Sequence, residues 1–194
     1  MSALLERRSV VARVLAGRRD LAVVGGLGAA TYDIAAAGDH DRNFYLWGAM
    51  GGAAMIGLGL ALAQPGVPVL VATGDGEMLM GLGAFATIGA RRPGNLSLLI
   101  LDNGLYEETG AQRTHTAMST DLAAVARACG IDDARVMTDD GAIGGFAERT
   151  HRVGNTPCVG VAKIAPSSAP KTLPSRDGAW LRGRMRGAFG LPSL

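Results

Sequence analysis

The sequence predicts an α/β fold: a mostly parallel sheet with helices on both faces. Three observations predict it. Predominantly apolar runs at residues 67–73, 96–101 and 158–164 are continuous rather than alternating, as expected of strands buried on both sides. Segments of helical length, several opening on glycine, lie between them. Apolar residues make up 48% of the chain but aromatics only 5%, with 29 glycines, a composition suited to helices packed closely onto a sheet.

The elements follow in order. Residues 3–15 read as an amphipathic helix ended by Gly17. A strand at 21–24, a helix at 28–37, a strand at 44–47 and a helix at 51–64 come next. The strand at 67–73 leads into a helix over about 78–90, and the strand at 96–101 into a polar loop over 103–118. Ser119 or Thr120 reads as the N-cap of a helix reaching Cys129. A short strand at 134–137, a helix opened by Asp139 and running to about Arg152, and a last strand at 158–164 complete the pattern. Residues 1–165 read as one domain without internal repeats. Residues 166–194 read as a basic tail, partly helical, that packs on the domain or on a partner.

Composition narrows the function. A net charge of +2 is too balanced for a nucleic-acid binder, and Lys171, Arg176, Arg182, Arg184 and Arg186 read as a solvated or partner-facing helix. Residues 47–63 carry no charge, but they are short for a membrane span and broken by glycine, so a buried helix is expected and no membrane. Cys129 and Cys158 lie far apart and read as reduced thiols, and the N-terminus lacks the apolar core of a secretory signal. The expected location is the cytoplasm.

In a parallel sheet, ligands bind beyond the carboxyl ends of the strands, which points to the loops after residues 24, 47, 73 and 101. The loop after 73 reads Gly74-Asp75-Gly76-Glu77, and the loop after 101 begins Asp102-Asn103-Gly104. One helix and one strand separate them, so both leave the same edge of the sheet. A glycine turn opening a helix suits phosphate, which a carboxylate would repel. A divalent cation between the two removes the conflict. Mg²⁺ fits, because it takes one or two protein oxygens and completes its shell with phosphate and water. The Asn103 amide oxygen can be a second ligand. Two rival glycine patterns are weaker. Gly26-Leu27-Gly28-Ala29-Ala30-Thr31 nearly matches a dinucleotide fingerprint but lacks the acidic residue after the next strand, and Gly81-Leu82-Gly83-Ala84-Phe85-Ala86 lies inside a helical stretch. The Asp39-His40-Asp41 run reads as a polar loop, not a metal site.

The Gly-Asp-Gly turn and the spaced Asn resemble the binding motif of thiamine diphosphate (ThDP) enzymes. The resemblance implies that Asp75, Asn103 and the Leu105 carbonyl hold the metal. The first residue of the usual Asn-Asn pair is Asp102 here, at the non-ligating position. Trp47-Gly48-Ala49-Met50-Gly51 resembles the segment gripping the cofactor's pyrimidine. By that likeness Met50 props the cofactor in its bent form, while the Gly48 carbonyl and Met50 N–H meet the pyrimidine edge. Gly26, Leu27, Gly74, Gly76, Glu77 and Tyr106 complete the implied cofactor contacts.

The likeness runs from about Leu21 to Lys163 and is strongest to the phosphonopyruvate and sulfopyruvate decarboxylases, in Asn43-Phe44-Tyr45, Leu101-Asp102-Asn103-Gly104 and Thr109-Gly110-Ala111-Gln112. It implies the diphosphate-binding, β-type subunit of a 2-oxo acid decarboxylase. A pyrimidine-domain, α-type partner in a hetero-oligomer would supply the activating Glu. Glu107, Glu108 and His115 fall near the implied reaction centre, and Glu108 and His115 are the candidate proton carriers. Residues 26–33 lack the basic residue that those decarboxylases carry, which leaves the substrate open. A carboligase and a non-catalytic nucleotide-binding module are the competing readings.

Overall fold

The computed structural model describes residues 4–166 and 169–192. Six strands, β1 (Ala22–Gly25), β2 (Asn43–Tyr45), β3 (Val69–Gly74), β4 (Leu96–Asp102), β7 (Asp133–Met137) and β8 (Cys158–Lys163), form one sheet in the order β2-β1-β3-β4-β8-β7. Every pairing is parallel. The expected α/β architecture is the one observed.

Alternation along each strand divides the core in two. Val69 and Val71 of β3, with Leu96, Leu98 and Ile100 of β4, face helices α3 (Ala53–Ala63), α4 (Asp75–Met80), α5 (Ala84–Arg91) and α6 (Leu122–Ala128). Leu70, Ala72, Leu99 and Leu101 face α1 (Arg7–Leu15), α2 (Ala29–Ala36), α7 (Asp140–Thr150) and α8 (Gly178–Ala188). β3 and β4 are buried on both faces, which explains their unbroken apolar sequence. Among the described residues no helix is long and apolar enough to cross a membrane.

Several local expectations change. The helix expected over 78–90 is two helices, because the chain between them, with Gly81 and Gly83, turns where it meets the loop after β2. The N-cap of α6 is Asp121, whose carboxylate accepts the Ala124 N–H at 3.0 Å, rather than Ser119 or Thr120. The first helix starts at Arg7, behind a Glu6 cap that accepts from the Arg8 and Ser9 amides. The polar loop over 103–118 contains a small hairpin, β5 (Leu105–Tyr106) with β6 (Gln112–Arg113).

The tail strides along the domain. The Ser175 carbonyl accepts from Trp47 Nε1 at 2.7 Å, and the Arg176 guanidinium lies 4.8 Å from the Trp47 ring centre. Asp177 caps α8, Leu181 is buried against the sheet, and Arg184 binds Asp39 at 2.6 Å and donates to the Asn43 carbonyl at 2.9 Å. The basic helix is thus docked on the outer strand β2 rather than solvated along its length. Asp39 is used in this docking, and the Tyr45 hydroxyl also donates to it at 2.7 Å.

Candidate functional site

Four loops and the start of α1 meet at the carboxyl ends of β1, β2, β3 and β4 and enclose a cavity of about 330 Å³. Leu27 comes from the loop after β1 and Met50 from the loop after β2. Gly74, Asp75, Gly76 and Glu77 come from the β3–α4 turn, and Asn103, Leu105, Tyr106 and Glu108 from the chain after β4. The positions singled out from two separate motifs therefore line one space. Gly26, Gly48 and His115 do not line it, and His115 is exposed.

Asp75 is buried at the centre of this edge, 2% exposed. Its Oδ2 accepts from the Thr114 hydroxyl at 2.5 Å and the Thr116 hydroxyl at 2.9 Å, both from the returning limb of the loop after β4. The Asn103 side-chain oxygen accepts the Leu105 N–H at 2.9 Å, which orients that amide within its own turn. Tyr106 lies over Gly76, where a Cβ would fall 2.4 Å from the ring, so the turn can approach the tyrosine only as glycine. Among the described residues no group of three or more His, Cys, Asp or Glu could hold a metal. A cation at this edge would instead be held by one carboxylate, one amide oxygen and a carbonyl, a donor set that suits a hard ion sharing a phosphate.

Glu77 serves the framework. Its Oε2 accepts the Leu27 N–H at 3.0 Å and the Thr73 hydroxyl at 2.8 Å, while its Oε1 is buried without a hydrogen-bond partner among the described residues. One buried carboxylate thus ties the loop after β1 to the end of β3 and the β3–α4 turn. Met50, half-exposed at the cavity rim, follows Ala49, which adopts a left-handed φ of 52°. That conformation costs about 1 kcal/mol for a residue with a Cβ and turns the loop so that Met50 reaches the cavity.

Burial pushes the Asp75 carboxyl above its ordinary value of 3.8; the Thr114 bond opposes the rise and the neighbouring Asp102 charge adds to it. Burial likewise raises Glu77 above 4.5, against bonds from Thr73 and the Leu27 amide. A carboxyl raised in the fold binds more protons there than in the unfolded chain, so it lowers stability once both states are ionised. The metal-free chain should therefore gain stability relative to an Asp75→Asn variant as pH falls from neutral through the raised folded pKa, down to the ordinary 3.8. Thermal denaturation of both proteins from about pH 7 down to about pH 4 tests this. A parent melting temperature that does not rise relative to that of Asp75→Asn on acidification would contradict it.

The structure also places residues that no motif had marked. Arg7, on α1, is 5% exposed and lines the cavity, with its Nε 2.5 Å from Asp33 and an Nη 3.1 Å from Glu107. Glu108 pairs with Lys171 of the tail at 3.1 Å. Thr114 and Thr116 fix Asp75, and Lys163 pairs with Asp102. Thr114 and Thr116 flank His115, the residue of this limb that the sequence had singled out for its imidazole.

Residues 25–152 match the family model described as thiamine pyrophosphate enzyme, C-terminal TPP binding domain, thiamine pyrophosphate being another name for ThDP. A phosphonopyruvate decarboxylase of Streptomyces viridochromogenes is 52% identical over 58% of this chain and 28% of its own length. A sulfopyruvate decarboxylase subunit beta of Methanothermobacter thermautotrophicus is 40% identical over 70% of this chain and 72% of its own length. The chain thus spans well under half of the first relative and most of the second. Among solved structures, a candidate thiamin diphosphate-dependent enzyme from Mycobacterium smegmatis superposes on 86% of this chain and 33% of its own with a TM-score of 0.72 at 20% identity, a likeness of fold. With the Gly-Asp-Gly turn and Asn103 facing one cavity, the chain belongs to the thiamine pyrophosphate enzymes and carries their C-terminal TPP-binding domain.

Proposed function

We propose that this chain is the diphosphate- and metal-binding, β-type subunit of a ThDP- and Mg²⁺-dependent 2-oxo acid decarboxylase, active in a hetero-oligomer with a pyrimidine-domain subunit. The observation that carries the reading is the placement of buried Asp75 and of Asn103 at the ends of adjacent parallel strands, lining a single cavity. The names of the phosphonopyruvate and sulfopyruvate decarboxylases point to a small anionic 2-oxo acid. The unpaired Cys129 and Cys158 accord with a reducing, cytoplasmic setting.

ThDP, when bound, supplies the electron sink that lets CO₂ leave a 2-oxo acid. The chain's own residues hold and shape the site. Asp75, the Asn103 amide oxygen and the Leu105 carbonyl are the metal ligands, and the backbone of Gly74, Gly76 and Glu77 cradles the diphosphate. Leu27 lines one wall and Tyr106 another, with Gly26 adjoining Leu27 outside the lining. Met50 props the cofactor, with the Gly48 carbonyl and Met50 N–H at the pyrimidine edge. Glu108, at the cavity mouth, is the candidate for moving a proton. His115 is the weaker candidate, because its exposed position reaches the reaction only if the partner covers it. Residues 1–165 form the cofactor domain, and residues 166–194 the tail that secures it.

Calorimetric titration of ThDP with Mg²⁺ into the chain, alone and with its partner subunit, tests the reading. Binding that requires both metal and partner, followed by CO₂ release from a 2-oxo acid, is the expected result. Absence of binding in the reconstituted complex would overturn the cofactor assignment, and a ligated ketone as sole product would favour carboligation.

A further inference from the structure

The sheet sets a second carboxylate beside the first. Asp102 and Lys163 are register partners at the carboxyl ends of β4 and β8, and the ammonium pairs with Asp102 Oδ2. Asp102 Oδ1 accepts the Gly104 N–H at 3.1 Å and the Thr116 hydroxyl at 2.7 Å. The same Thr116 oxygen lies 2.9 Å from Asp75 Oδ2. A hydroxyl has one proton, so Thr116 can donate to only one of these carboxylates at a time. Two buried negative groups, 2% and 4% exposed, are thus separated by a single hydroxyl at the edge where an anionic diphosphate must bind. Two uncompensated charges there would repel the diphosphate and compete for its cation. Lys163, with its side chain about one-third exposed, is the cation that meets Asp102.

We propose that Lys163 is a positioning residue for the metal–diphosphate site. By neutralising Asp102 it removes a second negative charge from beside Asp75. By holding the Asp102 carboxylate towards Gly104 and Thr116, it fixes the loop limb whose threonines orient Asp75. The inference rests on the ThDP and metal reading above.

The test is a cycle of Lys163→Gln, Asp102→Asn and the double variant. Two quantities are read: binding of ThDP with Mg²⁺ to the chain in complex with its partner subunit, and thermal denaturation of the metal-free chain. Lys163→Gln should weaken ThDP binding about tenfold, because a buried charge loses its partner, and should lower the melting temperature. Asp102→Asn alone should stay within about threefold of the parent, and the double variant should return to within about threefold, since each removes the unpaired carboxylate. A Lys163→Gln variant that binds like the parent overturns the proposal. So does a double variant as weak as Lys163→Gln, or an Asp102→Asn variant equally impaired. If Lys163→Gln alone does not fold, a double variant that folds and binds supports the proposal, and one that does not fold overturns it. Failure of the parent complex to bind ThDP sinks the cofactor reading and the proposal with it, a result distinct from parental binding with an unaffected Lys163→Gln.

Discussion

Replacing Asp75 by alanine is expected to weaken metal-dependent ThDP binding by about 100-fold or more, equivalent to about 2.7 kcal/mol. The carboxylate is the one charged group in the proposed donor set, and Asn103 and a carbonyl alone offer a cation only neutral oxygens. The fold should survive. The substitution takes acceptors from the Thr114 and Thr116 hydroxyls but also removes a buried negative charge, and these effects oppose each other. A net stability change of about 1 kcal/mol or less follows from that opposition. Calorimetry on the reconstituted complex measures the binding, and urea denaturation of the chain alone measures the stability. An Asp75→Ala variant that binds ThDP with parental affinity would remove Asp75 from the site.

The second large effect is expected at Gly81→Ala. A Cβ there would stand 2.2 Å from the Gly51 carbonyl oxygen and 3.0 Å from its carbon. This is backbone against backbone, so no side chain can swing aside. The expected cost is about 3 kcal/mol, the upper part of the usual range for overpacking. For a chain of this size that lowers the melting temperature by about 6–12 °C. Gly81 ends α4 while Gly51 adjoins Met50, so ThDP binding should weaken as the Met50 loop is pushed off its seat. Gly59→Ala is the control. It lies in α3 with nothing within 4 Å of its Cβ, and alanine there should stabilise the helix by up to about 1 kcal/mol. Equal melting temperatures for Gly81→Ala and the parent would contradict the close approach of the two loops.

Asp75 and Asn103 were legible in the sequence because each lies directly after an apolar strand, and topology carries such positions to one sheet edge. Met50 and Leu27 were reached through the resemblance to thiamine diphosphate enzymes. What surrounds them was not legible, because it arises between elements distant in the chain. Thr114 reaches Asp75 across 39 positions, Lys163 reaches Asp102 across 61, and Arg7 reaches Glu107 across 100. None of these pairs has a local pattern. The division of the 78–90 segment into α4 and α5 was hidden for a similar reason. Helical periodicity alone does not register that Gly81 must pass against Gly51. Glu77 was recognised as part of the cofactor motif, yet its hydrogen bonds are with the Leu27 amide and the Thr73 hydroxyl.

The docking of α8 bears on what the outer strand offers to another chain. β2 is the outermost strand on its side of the sheet, and an open strand there offers unpaired amide and carbonyl groups to any other extended chain. Here the strand is three residues long, and Arg184 occupies the Asn43 carbonyl while pairing with Asp39 beside it. The basic helix therefore covers part of a sheet edge and sets a charged group where another extended chain would pair.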